Sequence, residues 1–300
     1  MTMRSADIAR LVALATIWSL SFVFMRVLVP VLGPLWTAAL RVLIAGVALV
    51  AWFAVIRLDA DVRRHWRAYL LVGTVNSALP FALFAYAAQR LPASYLVILN
   101  AAAPMFAAVA AAIWLDDRLT PTKVAGLAVG AAGVALVSRA GPLVLDAPVA
   151  LAIAASLGAA LCYGLAGVWL KRNGAGMKPV AIAGWSQLFA AFVLVPLATT
   201  TAAPGPFTAL AVADLLALAL LCSSVAYLLY YRLIADVGPT RAMTVTFLMP
   251  ALGMAWGALF LDERVTVVML AGAGLILAGT AAVLGLVPAR PAWRARPNRR

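Results

Sequence analysis

One long stretch occurs twice in this chain, and this repetition constrains the fold more than any other feature. Residues 104–133, PMFAAVAAAIWLDDRLTPTKVAGLAVGAAG, align without a gap with residues 250–279, PALGMAWGALFLDERVTVVMLAGAGLILAG. Aligned positions that keep the same residue include Pro104 with Pro250, Arg118 with Arg264, Thr120 with Thr266 and, upstream, Ser77 with Ser223. The chain therefore contains an internal duplication.

Each copy consists of an apolar segment interrupted by proline, a short acidic-then-basic turn and a second apolar segment rich in glycine. In a membrane this pattern predicts two helices joined by a tight polar turn. In the first copy Thr120 suits a helix cap, and Pro121 suits the first helical position, where the missing N–H does no harm.

The composition places the chain in a membrane. Hydrophobic residues make up 66% of it and charged residues 11%, with a mean hydropathy of +1.04, whereas soluble domains are roughly 45–50% apolar and about 25% charged. A helix needs about 20 mostly apolar residues to span the bilayer. Ten such segments are predicted, at residues 8–29, 34–55, 68–88, 94–115, 121–139, 148–170, 180–200, 208–231, 241–261 and 265–287.

In each copy, the helical segment that begins with the repeated proline ends in an acidic residue, Arg, an apolar residue and Thr. This pattern resembles the repeat of the EamA-domain branch of the drug/metabolite transporter superfamily. Asp116 and Asp262 stand where that family usually has glycine. The resemblance implies a secondary transporter of the bacterial inner membrane that exports small metabolites, such as amino acids or amphipathic drug-like compounds, by alternating access. It implies no cofactor.

The positive charges predict the orientation. With the amino terminus in the cytoplasm, only Arg90, Arg139 and Arg264 fall on the outer side, so the positive-inside rule puts both termini in the cytoplasm. We expect a first five-helix repeat in residues 1–140, a second in residues 146–287 and a basic cytoplasmic tail in residues 288–300. Because five is odd, the second repeat must be inverted relative to the first, as in many transporters.

The two repeated prolines predict the substrate site. Proline frees the carbonyl four residues earlier, which belongs to Asn100 for Pro104 and to Thr246 for Pro250. Irregular backbone at membrane depth is tolerated where it is buried in protein or lines a watery cavity. Asn100 and Thr246 are therefore the leading substrate-binding candidates, with Pro104 and Pro250 as hinges; a purely structural kink is the alternative.

Further candidates are polar or amphipathic residues that fall deep in the predicted spans. An indole N–H at the middle of the membrane needs a hydrogen-bond partner or a cavity. Trp18 and Trp256 are therefore better candidates for a binding pocket than the tryptophans near segment ends. Tyr227 is the deepest of three tyrosines on one helical face, and core packing or helix joining is the alternative for every member of the set. The candidates are Trp18, Ser21, Tyr163, Gln187, Tyr227 and Trp256.

Charges inside spans are costly and therefore informative. Arg26 can reach the interface, whereas Arg41 lies several residues into the second span. Arg41 suits either a structural arginine bonded to backbone or a group that binds a substrate carboxylate. All ten acidic residues map to termini, turns or segment ends, which disfavours a proton antiporter that uses a buried carboxylate. Facilitated diffusion, exchange or another coupling group remains open.

The repeated turns at Asp116 to Arg118 and Asp262 to Arg264 suggest a structural role, in which acidic side chains bond N–H groups at the start of the next helix and the arginine holds preceding carbonyls. A gate built on exchanging salt bridges is the alternative. The repeated glycines have a spacing suited to close helix packing.

The remaining function classes lack their characteristic residues. His65 is the only histidine and Cys162 and Cys222 lie in apolar segments, so no metal site, disulfide or catalytic dyad is expected. No nucleic-acid motif accompanies the excess of Lys and Arg. A membrane-embedded enzyme would need clustered acidic, His or Arg residues at one membrane face, and this cluster is missing. A nucleotide-sugar carrier would need lysine or arginine in its cavity, and the spans offer little beyond Arg26 and Arg41. A non-transporting scaffold predicts no polar cavity. The expected partners are a small-molecule substrate and membrane lipids, and the oligomeric state is unknown.

Overall fold

The computed structural model describes residues 4–141, 143–238 and 242–286, and the regular structure of these residues is helical. Eight helices are long and apolar enough to cross a membrane, and two shorter apolar helices complete the predicted ten. The predicted tail, residues 288–300, lies outside the described residues. The helices are α1 Ser5–Leu32, α2 Pro34–Val55, α3 Val62–Ala87, α4 Ala93–Trp114, α5 Pro121–Ala140, α6 Ala147–Asn173, α7 Pro179–Thr199, α8 Ala209–Val237, α9 Val245–Leu261 and α10 Val267–Val283.

Capping residues start the last helix of each repeat in the same way. The Thr120 hydroxyl accepts a hydrogen bond from the Lys123 N–H at 3.3 Å, and Pro121 is the first residue of α5, as predicted. The hydroxyl of Thr266, the repeat equivalent of Thr120, likewise accepts from the Met269 N–H at 3.3 Å and starts α10. The duplicated sequence therefore forms the same local structure twice.

The turns before these helices keep a left-handed residue. Asp116 has a φ of 54° and Asp262 a φ of 52°, in the region that glycine occupies most easily and that aspartate tolerates better than most residues. The aspartates that replace the usual glycine therefore preserve the backbone geometry of the turn.

Equivalent helices of the two halves pack against each other in antiparallel pairs. A Cβ added to Gly126 of α5 would lie 2.7 Å from the carbonyl oxygen of Gly279 in α10, and one added to Gly133 would lie 2.7 Å from that of Gly272. Residue numbers thus rise along α5 as they fall along α10. In α2 and α7, Gly46 lies beside Leu188 and Phe53 lies beside Gly184, so these helices are also antiparallel. Equivalent helices that run in opposite directions are the mark of inverted repeats.

The other main contacts between helices follow the same symmetry, because each has a counterpart between the equivalent helices. Helix α1 packs on α9 just as α6 packs on the second part of α4, and α3 packs on α6 just as α8 packs on α1. The first part of α4, Ala93–Asn100, is buried along most of its length among α9, α6 and α1. The predicted fold class, an all-α integral membrane protein of ten helices in two inverted five-helix repeats, is confirmed.

Candidate functional site

Helix α4 is broken close to the position predicted from its proline. Its first part, α4a, ends at Asn100, and its second part, α4b, begins at Ala103 with Pro104 as its second residue. Proline suits this place because the first turn of a helix has no internal partner for its N–H groups.

The second repeat differs from this expectation. Helix α9 begins at Val245 and continues through Pro250, so this helix is not broken beside its proline as α4 is. The chain turns earlier, at Met243 and Thr244. Thr246 stabilises this turn because both its N–H and its hydroxyl donate to the Met243 carbonyl, at 3.1 and 2.8 Å. Pro250 lies one turn into the helix.

A cavity of about 260 Å³ lies between the two halves beside the α4 break. It is lined by residues from α1, α2, α3, α4, α6 and α8 and from the start of α9. Seven predicted residues line it together: Trp18, Ser21, Asn100, Pro104, Tyr163, Tyr227 and Thr246. The duplication therefore brings both kink positions, Asn100 and Thr246, to one cavity.

Three predicted residues lie outside the cavity lining. The indole N–H of Trp256 donates to the Ser19 hydroxyl at 3.1 Å and joins α9 to α1. Gln187 is fully buried in α7; its side chain approaches the Tyr227 hydroxyl, although its amide atoms meet no hydrogen-bond geometry among the described residues. Pro250 is buried in α9.

Aromatic rings form much of the cavity wall. The ring centroid of Trp18 lies 6.3 Å from that of Tyr227, edge-on, and 5.1 Å from that of Tyr230. Tyr227 and Tyr231 stack with their centroids 6.3 Å apart. Tyr230 and Tyr231 also line the cavity, although their sequence position favoured an aromatic belt at the membrane boundary. Their helical spacing with Tyr227 was the signal that could have identified them.

Polar groups from both halves also reach the cavity. The Asn100 Oδ1 atom is buried without a hydrogen-bond partner among the described residues. The Asn76 side-chain amide donates to the Tyr227 hydroxyl at 3.5 Å. Buried acceptors without partners are rare in folded proteins and often indicate a missing partner, which makes Asn100 a group that a bound molecule can satisfy.

Arg41 enters the cavity from α2. It is 4% exposed, its Nε donates to the Ser223 hydroxyl at 2.9 Å, and its Cζ lies 3.7 Å from the centre of the Phe81 ring. The expectation that a structural Arg41 would be bonded to backbone is wrong, because its hydrogen-bond partner is a side chain. Arg26, by contrast, donates to the Ala88 carbonyl at 2.6 Å and does not line the cavity.

Two π-helical segments flank this region. Residues Thr74–Ala78 of α3 include Asn76, and residues Ala217–Val225 of α8 include Ser223. The alignment of the repeats places the first segment within the second. Such wide turns are rare and frequently occur at functional sites. Nothing in the hydropathy pattern predicts them, because a π turn changes the backbone register and not the polarity of the residues.

Glu263 corrects one prediction about the repeated turns. Its carboxylate accepts hydrogen bonds from the N–H groups of Ala93 and Ser94, at 2.6 and 2.9 Å. These groups start α4a in the other repeat. We expected the acidic residues to cap the helix that follows them, but at α10 that role belongs to Thr266.

Comparison with known proteins identifies the family. A model of the EamA-like transporter family matches residues 8–139 and 150–285. The chain belongs to the EamA-like transporter family. The match falls once in each half, and it establishes a multi-pass membrane protein that is related to transporters rather than to enzymes.

Individual relatives agree with this family. The uncharacterized transporter YvbV of Bacillus subtilis (strain 168) is 25% identical over 268 residues, covering 88% of this chain and 87% of YvbV. A probable terminal-alkyne amino-acid exporter of Streptantibioticus cattleyicolor is 25% identical over 293 residues, covering 97% of both chains. A solved crystal structure superposes with a TM-score of 0.66 at 18% identity, covering 93% of this chain and 96% of the other, which shows the shared fold.

Proposed function

We propose that this chain carries small organic metabolites, such as amino acids or amphipathic drug-like compounds, by alternating access. The observation that carries the proposal is the cavity of about 260 Å³ at the α4 break, which both halves line. A cavity of this size holds a small metabolite, since pockets for drug-sized ligands begin at about 300 Å³.

The lining suits an amphipathic molecule. The rings of Trp18, Tyr163 and Tyr227 offer apolar faces, while Asn100 and Thr246 offer polar groups at the positions where helices begin or end. Most small-molecule sites have this composition, in which apolar walls supply affinity and a few polar groups fix the orientation. The similarity to a probable amino-acid exporter supports a metabolite of amino-acid size.

The inverted repeats support alternating access as the mechanism. Two halves of the same structure, inserted in opposite directions, have two equivalent arrangements that exchange when one half rocks against the other. The antiparallel pairs α5 with α10 and α2 with α7 are among the contacts that join the two halves. The family resemblance and the exporter relative favour outward movement from a bacterial inner membrane, and the distribution of Lys and Arg favours cytoplasmic termini.

Transport in proteoliposomes tests this proposal. Radiolabelled amino acids and hydrophobic amines are assayed, with and without a pH gradient, for the wild type, Asn100→Ala and the control Asn173→Ala. Asn173 is exposed at the end of α6 and its amide donates to the Trp169 carbonyl. We expect saturable flux whose KM rises roughly fivefold only in Asn100→Ala, since a buried hydrogen bond contributes about 1 kcal/mol. Flux of no compound would favour the scaffold interpretation.

A further inference from the structure

The charge of the cavity lining comes from Arg41. Among the described residues that line the cavity, Arg41 is the only one that carries a charge. The described part of the chain places no carboxylate within 4.0 Å of its guanidinium, since the ion pairs of these residues all lie elsewhere. A buried cation without a counter-ion is unfavourable in a membrane protein. The cavity is therefore electrostatically suited to an anion from outside the chain.

The guanidinium is held so that two of its nitrogens stay free. Nε donates to the Ser223 hydroxyl at 2.9 Å, and the ring of Phe81 covers one face of the group at 3.7 Å. Nη1 and Nη2 donate to no acceptor in the described residues. These two nitrogens form the edge of the guanidinium that binds both oxygens of a carboxylate in parallel hydrogen bonds.

We propose that Arg41 binds the carboxylate of the transported molecule, which makes small amphipathic carboxylic acids, including zwitterionic amino acids, the substrate class. This inference rests on the proposed transport function. The aromatic rings of Trp18 and Tyr163 face the apolar part of such a molecule, and the free Asn100 Oδ1 accepts a hydrogen bond from a donor such as an ammonium group.

The position of Ser223 adds a consequence for the two halves. Arg41 belongs to the first repeat, while Ser223 belongs to the π-helical segment of the second. A carboxylate on Arg41 thus binds at a contact between the repeats. A bound carboxylate neutralises the charge of Arg41 where the two halves must move against each other. Binding and movement are therefore linked through this side chain.

Binding to purified protein tests the inference directly. Isothermal titration calorimetry is run with benzoate, phenylacetate, L-leucine and L-phenylalanine, each against its own primary amide. We expect the wild type to prefer an acid over its amide, and Arg41→Gln to weaken binding of that acid by roughly 10- to 100-fold while leaving the amide unchanged, as for a lost hydrogen-bonded charge pair. Arg26→Gln, which lies outside the cavity lining, keeps the preference.

Further variants separate binding from folding. Arg41→Lys keeps the charge but loses the paired hydrogen bonds, so we expect it to restore part of the preference for acids that Arg41→Gln loses. Ser223→Ala frees Nε without removing the charge and is expected to weaken acid binding by a smaller factor. Binding of no acid by the wild type, or an unchanged preference in both Arg41 variants, would overturn the inference.

Flux measurements on the same acids and amides distinguish this inference from the transport proposal. Binding of acids that depends on Arg41, without flux, would support the carboxylate site and refute transport. Flux of acids and amides alike, unaffected by Arg41→Gln, would refute the carboxylate site and leave transport intact.

Discussion

Glu263 holds the first turn of α4a through Ser94, because one carboxylate oxygen accepts both the Ser94 hydroxyl at 2.6 Å and its N–H at 2.9 Å. Ser94 is fully buried, and the anion lies at the positive end of the helix dipole. Met243, which lines the cavity, precedes α9, whereas Glu263 follows it. The contact therefore joins α4a to the turn at the end of α9 that lies opposite Met243.

Replacing Glu263 with Gln should destabilise this contact with α4a. The neutral amide keeps the shape but loses the charge-assisted bonds to Ala93 and Ser94, so we expect a loss of roughly 1 kcal/mol, reduced from the range for charged pairs because Glu263 is partly exposed. Thermal unfolding of the purified protein measures it as a lower Tm. Asp262→Asn, in the same exposed turn, should leave Tm nearly unchanged, and an equal drop in both variants would contradict the prediction.

The α5–α10 contact gives a second stability prediction. A methyl group at Gly133 would lie 2.7 Å from the Gly272 carbonyl oxygen and 2.9 Å from the Ile276 nitrogen, whereas one at Gly274 meets nothing within 4 Å. Gly133→Ala should therefore lower stability by about 1–3 kcal/mol through overpacking. Gly274→Ala should be neutral or stabilising, since alanine is the better helix former. Thermal unfolding that ranks the two variants in the opposite order would refute this packing.

The duplication made much of the fold predictable. The repeated caps at Thr120 and Thr266 form the same local structure, although the repeated prolines do not, since α4 is broken beside Pro104 and α9 continues through Pro250. Predicted segment 94–115 matches Ala93–Trp114, but segment 68–88 begins too late, because α3 starts at Val62. The first turns of α3 are rich in arginine, and a hydropathy window finds only the part of a helix that lies in the bilayer.

The site was less predictable than the fold, for reasons of geometry. Local sequence made Asn100 and Thr246 candidates because a proline lies four residues after each of them. It did not place the two in one cavity with Arg41, since that depends on how α2, α4 and α9 pack. The partner of Glu263 lies in the other half of the chain, and sequence neighbours alone cannot reveal a contact at that separation.

The hydroxyl of Tyr227 should contribute to binding beyond its ring. The hydroxyl accepts from the Asn76 amide at 3.5 Å, and Tyr227 and Asn76 both line the cavity, so Tyr227→Phe removes a polar group and leaves Asn76 without this partner. We expect KM to rise roughly 2- to 10-fold, the equivalent of one hydrogen bond. Tyr86→Phe is the matched control because its side chain is exposed on α3. Equal KM values for both variants would show that the ring alone matters.

Cysteine labelling can test whether the predicted kink residues face water. In a background without Cys162 and Cys222, Asn100→Cys and Thr246→Cys should react with a membrane-impermeant thiol reagent, because both positions line the cavity. Thr280→Cys is the control, since Thr280 is 1% exposed and lies outside the lining.

We expect the two cavity positions to react several times faster than Thr280→Cys, as measured by mass spectrometry of the labelled protein. A transported compound should slow the reaction at both positions together, because residues from α4 and α9 share one cavity. Protection at one position alone would show that Asn100 and Thr246 do not share one binding cavity. Reaction rates as low as that of Thr280→Cys at both positions would mean that water does not enter between the halves, and this result would contradict a transport pathway through the α4 break.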